Sequence, residues 1–176
     1  FSFYTHKPQQ VSGLDTPATK FSTARAFQLL DSIAQKPHAV GMPAHQEVQD
    51  FIVTTLEGYG LEVELQSDFA YKPGWGALSR AENIITRIPG TGKGETLLVM
   101  THYDSAPHTA SKGASDAGSG VVTILESIRA FLAKSEKQKN DIILLFTDAE
   151  ELGLNGASVF VNKHPWAKEV DLALNF

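Results

Sequence analysis

The chain has 176 residues, 42% hydrophobic and 20% charged, with a formal charge of −5 and no cysteine. That length fits one globular domain with a core of its own. The acidic balance excludes a basic face for nucleic acid, the lysines at 134–139 reading as a solvated helix end, and the lack of cysteine excludes disulfides and thiolate metal sites.

Residues 1–21, with Pro8, Gly13 and Pro17 and no sustained period, are expected to form an extended arm ahead of a single domain over 22–176. Ser22 is placed to cap a helix in which Ala26, Leu29, Leu30 and Ile33 recur at helical spacing, and Pro37 ends it. A second amphipathic helix is expected from Ala44 to Tyr59, with Val48, Phe51, Ile52 and Leu56 on one face and Gly58 and Gly60 at the stop. Leu61–Leu65 alternates as a half-exposed strand does. After a loop with Tyr71, Gly74, Trp75 and Gly76, strands are expected at Asn83–Ile88 and Thr96–Thr101, joined as a hairpin through Pro89–Gly94. A phosphate-loop reading of those glycines fails, because Lys93 is followed by Gly94 and a strand, not by Ser or Thr and a helix.

From Gly118 to about Ala133 the apolar positions fit a largely buried helix, and Asp141–Thr147 reads as a central strand. Leu154–Lys163 reads as a helix stopped by Pro165, and Val170–Phe176 as a strand. The expected fold is α/β, a mixed, mostly parallel central sheet with helices on both faces and its site at the strands' carboxyl ends. No apolar run approaches bilayer length and no leader segment opens the chain, so no membrane contact is expected of this segment. The start at Phe1 is expected of a piece of a longer protein, with room for a leader or membrane anchor outside it.

The chemistry gathers at that carboxyl edge. His102 and Asp104 follow the strand Thr96–Thr101, Asp116 sits in the loop before the buried helix, and Glu150 and Glu151 follow the strand ending at Thr147. An imidazole with several carboxylates is a ligand set for a divalent metal together with a water-activating base. Asp104 is placed to hold the second ring nitrogen of His102 and fix its tautomer. Each residue also has a plainer reading: His102 as a structural histidine, Asp116 as a helix cap, and the Glu150–Glu151 pair as a solvated helix start. Of two adjacent glutamates, one can bind metal while the other stays free as a base with a raised pKa. His38 and His45 read as structural.

Three ordered stretches carry a family resemblance: His102-Tyr103-Asp104-Ser105, Ser115-Asp116-Ala117-Gly118-Ser119-Gly120-Val121, and Glu150-Glu151-Leu152-Gly153-Leu154-Asn155-Gly156-Ala157. They resemble the zinc aminopeptidase family that includes secreted bacterial leucine aminopeptidases, aminopeptidase Y, glutamate carboxypeptidase and endoplasmic-reticulum metallopeptidases. Lys36–Pro43 and Glu82–Ile85 with Pro89–Gly92 resemble the endoplasmic-reticulum type. The resemblance implies two zinc ions, with Asp116 as the bridge, His102 and Glu151 as ligands to one ion each, and Glu150 as general base. It implies an extracytoplasmic exopeptidase acting on peptides, most simply an aminopeptidase. A carboxypeptidase, a glutaminyl cyclase-like enzyme and a non-catalytic peptidase-like ectodomain stand as alternatives. It also implies that the chain holds only the front part of the catalytic domain, with two further metal ligands beyond Phe176, so that residues 1–176 alone are expected to be inactive.

Overall fold

A computed structural model describes residues 11–92, 94–134 and 136–176. The first part of the expected arm, with Pro8, and Lys93 of the glycine-rich connection lie outside the described residues. Among the described residues, four α-helices, α1 (Thr23–Ile33), α2 (Pro43–Gly58), α3 (Ser119–Leu132) and α4 (Asn155–Lys163), accompany five strands. These are β1 (Glu64–Lys72), β2 (Ala77–Ile88), β3 (Thr96–His102), β4 (Ile142–Thr147) and β5 (Val170–Asn175), in the sheet order β1-β2-β4-β3-β5.

The helices start where local chemistry directs. Ser22 caps α1, its hydroxyl accepting from the Arg25 backbone N–H, and Pro43 opens α2 at a position where its missing N–H costs nothing. Residues 11–21 form turns tied down by arginines: Arg25 donates to the Leu14, Thr16 and Lys20 carbonyls, and Arg129 to those of Ala18 and Lys20.

Two sequence expectations about strands are corrected. Asn83–Ile88 and Thr96–Thr101 do not form a hairpin, because β4 lies between them, antiparallel to β2 and parallel to β3. The reason is burial. Leu144 and Phe146 face a core shared with α1, α2 and α3, while Ile143 and Leu145 face Phe160 of α4, and only an interior slot buries both sets. Each such fully buried side chain contributes ~1.5–3 kcal/mol of transfer free energy. The early strand at Leu61–Leu65 starts instead at Glu64, since Leu61 and Val63 pack against the helical core and β1 pairs along its whole length with β2 through the turn Pro73–Gly76. Parallel pairing is therefore confined to β4-β3-β5, and β1-β2-β4 is antiparallel. Among the described residues, no helix is long and apolar enough to cross a membrane.

Candidate active site

β3 and β4 run parallel and end together, with His102 opposite Thr147, so the segments that follow them emerge at one edge. His102 Nδ1 lies 3.0 Å from the backbone carbonyl of Asp104 and 3.4 Å from its Oδ1. A carbonyl can only accept, so Nδ1 carries a proton and Nε2 faces the site. Of the two Asp104 groups beside Nδ1, the backbone carbonyl supplies the closer contact. The Asp104 carboxylate is engaged elsewhere: it is 1% exposed and accepts the backbone N–H groups of Glu150 at 3.0 Å and Glu151 at 3.2 Å. Asp104 thus fastens the end of β3 to the turn after β4.

Asp116 reaches the same place from the other side. Its loop begins at Gly113, which has a φ of +61° and no room for a side chain, since a Cβ there would lie 2.9 Å from the His38 ring. One tight turn, Ala114–Gly118, then leads into α3. The capping reading of Asp116 does not apply, because no side chain caps α3. Asp116 Oδ1 instead stands 2.9 Å from His102 Nε2, and Glu150 Oε2 stands 3.9 Å from the same nitrogen. Glu150 and Glu151 lie in a turn that ends where α4 begins at Asn155, so neither opens a helix.

The electrostatics follow from this crowding. Burial lowers the basicity of His102, but Asp104, Asp116 and Glu150 outweigh it and raise its pKa to about 9. The Glu151 carboxyl is raised by burial and then by the negative charge of Asp116, with His102 opposing. Zinc or another divalent ion replaces such a proton when it binds a histidine. The donor set, an imidazole held from behind and several carboxylates, suits that ion. Among the described residues, however, no three of these side chains already stand in ligating positions. His102 and Asp116 touch directly, whereas two ligands of one tetrahedral zinc, at ~2.0–2.2 Å each, sit roughly 3.3 Å apart. A few tenths of an ångström of separation at that pair would be enough. Glu150 is the glutamate that comes to 3.9 Å from His102 Nε2, while the Glu151 carboxyl lies close enough to feel the charges of Asp116 and His102.

Sequence reasoning gave Asp148 no role of its own and read His45 as structural; the fold pairs the two. Asp148 is 1% exposed, and its Oδ1 takes His45 Nε2 at 2.7 Å and the Ala149 N–H at 2.7 Å. The available signal was a carboxylate directly after an apolar central strand, which burial obliges to find partners.

Residues 83–176, more than half of the chain, match the family described as Peptidase family M28. A vacuolar membrane protease of Candida albicans is 36% identical over 99% of this chain and 20% of its own length. The chain thus spans about one fifth of the curated relatives it matches. A glutaminyl cyclase of Porphyromonas gingivalis shares the fold at 24% identity, with a TM-score of 0.77 over 88% of this chain and 60% of that one. A Zn-dependent exopeptidase from Parabacteroides distasonis does so at 22% identity, with a TM-score of 0.73 over 90% of this chain and 62% of that one. The match across β2 to β5, with the site residues inside it, establishes that the chain belongs to peptidase family M28.

Proposed function

We propose that this chain is the front part of a zinc-dependent exopeptidase, an aminopeptidase acting on peptides with a free N-terminus. The observation that carries the reading is the meeting of His102, Asp116 and Glu150 at the carboxyl edge, with Asp104 behind the imidazole. His102, Asp116 and Glu151 would hold zinc, Asp116 as the bridge between two ions. Zinc supplies Lewis acidity toward the scissile carbonyl and makes water easier to ionise. Glu150 takes the proton of the attacking water and passes it to the departing amine. Asp104 keeps His102 Nε2 pointed at the site and holds the backbone of both glutamates, so base and ligand keep one spacing. An open catalytic zinc has three protein ligands, so two ions sharing one bridge need five. The chain's three candidates leave the other two to residues past Phe176. The likeness to vacuolar membrane proteases supports a lumenal, membrane-associated setting for the whole protein.

Glu150→Gln in the full-length protein tests the assignment. Leucyl-anilide hydrolysis should fall by ~10²–10⁴ while zinc content stays constant. Loss of zinc with residual activity would exchange the roles of Glu150 and Glu151. A second reading, glutaminyl cyclase-like chemistry, draws on a 26% identical cyclase from an Acidobacteriales bacterium that covers 96% of this chain with a TM-score of 0.75. Cyclisation of N-terminal glutaminyl peptides with a single bound zinc would favour it over the peptidase.

A further inference from the structure

Three successive backbone N–H groups in the turn that carries the glutamates are accepted by side-chain carboxylates. Ala149 donates to Asp148 Oδ1 at 2.7 Å, Glu150 to Asp104 Oδ1 at 3.0 Å, and Glu151 to Asp104 Oδ2 at 3.2 Å. Ala149 is buried at a φ of +53°, a left-handed conformation that an L side chain keeps only where its surroundings impose it. Asp104 belongs to the site through His102. Asp148 has a histidine of its own.

His45 Nε2 sits 2.7 Å from Asp148 Oδ1, and Asp148 Oδ2 accepts the Glu82 N–H at 2.9 Å. The His45 ring stacks on Tyr103, with centroids 5.0 Å apart, and the Tyr103 hydroxyl takes a bond from Gln49 and donates to the Glu82 carbonyl at 2.8 Å. His45 and Gln49 are one helical turn apart in α2, whose buried stripe is otherwise apolar at Val48, Ile52 and Leu56. The stripe turns polar where it meets the turn bearing the glutamates. A histidine that only filled the core would not need to meet the carboxylate that shapes this turn.

We propose that His45 is a positioning residue for Glu150. Through Asp148 it holds the Ala149 backbone in its left-handed conformation, and so sets the direction in which the Glu150 side chain leaves the turn. The inference rests on Glu150 being the base.

In the full-length protein, His45→Phe keeps a ring against Tyr103 and removes the donor, while His45→Gln keeps a donor for Asp148. His45→Phe is expected to lower kcat for leucyl anilide by ~10–100-fold, with KM within about twofold and zinc content unchanged. Amide hydrogen exchange should speed up at residues 149–151 and not along β4, and His45→Gln should recover most of both effects. Wild-type kcat and exchange in His45→Phe overturn the proposal, as does a general rise in exchange across α2 and β4 that His45→Gln does not reverse. If His45→Phe fails to fold, Asp148→Asn gives the same readouts, and its double variant with His45→Ala, which removes the donor, should lose no more than Asp148→Asn alone. An additive loss overturns the proposal. If the wild-type protein shows no turnover, the base reading falls, and the exchange pattern at 149–151 still decides the role of His45.

Discussion

Replacing Glu126 by Gln removes the charge on which the N-terminal turns and α1 are fastened to α3. The carboxylate is buried and accepts from the Ser22 N–H at 2.8 Å, from Arg25 Nε at 3.0 Å and from Arg129 Nε at 2.6 Å and Nη2 at 2.9 Å. A glutamine can keep the oxygen that takes Ser22, Arg25 and Arg129 Nη2, but it turns an amide toward Arg129 Nε and loses the charge that both guanidinium groups face. Charge-assisted bonds contribute ~1.5–3 kcal/mol each, but the arginines are 20% and 23% exposed and recover water, so the loss stays near the ~3–5 kcal/mol of a broken buried pair. For a chain of this size that is a drop in Tm of about 6–20 °C. Burial raises the Glu126 carboxyl, yet Arg129, the Ser22 N–H and Arg25 outweigh it and hold its pKa below the ordinary 4.5. A depressed folded pKa means the stabilisation is complete above the unfolded value and fades as pH falls through the folded one. Thermal melts of wild type and Glu126→Gln from pH 7 to pH 3 should therefore show a gap that is constant near neutrality and closes only in acid. A gap under ~2 °C at pH 7, or one that persists unchanged at pH 3, would refute the reasoning. Because Leu30 of α1 lies against Gly118, the variant should also loosen the turn that presents Asp116.

Asp104→Asn keeps one of the two acceptors for the Glu150 and Glu151 amides, so Tm should fall by ~2–12 °C and zinc affinity by ~10–100-fold; titration showing unaltered zinc affinity would count against its positioning role. Gly156→Ala would drive a Cβ into the Asp148 backbone and Asn83 Oδ1, both buried, and should cost ~1–3 kcal/mol or more, visible as a lowered Tm or lost soluble yield. Residues 1–176 alone should bind zinc weakly and hydrolyse no leucyl anilide, whereas a chain extended past Phe176 should bind zinc tightly and turn the substrate over. Tight binding of two zinc ions and turnover by the short chain would overturn the ligand count.

Composition, period and capping residues were enough to read the helices and most strands. Ser22 ahead of the Ala26–Ile33 period, the Val48–Leu56 stripe and the apolar run Ile142–Phe146 carry their structure locally, since a helix or strand face is written into neighbouring positions. The three motifs read from the sequence put His102, Asp104, Asp116, Glu150 and Glu151 at one expected edge, because parallel strands bring their carboxyl ends together; that Asp116 and Glu150 are the carboxylates nearest His102 Nε2 is set by the loops. The slot of β4 between β2 and β3 came only from the folded chain, as did the use of the Asp104 carboxylate and the His45–Asp148 pair. These depend on which distant groups meet once the core closes. His45 and Asp148 are 103 positions apart, and no local period records that a buried carboxylate will find its donor there.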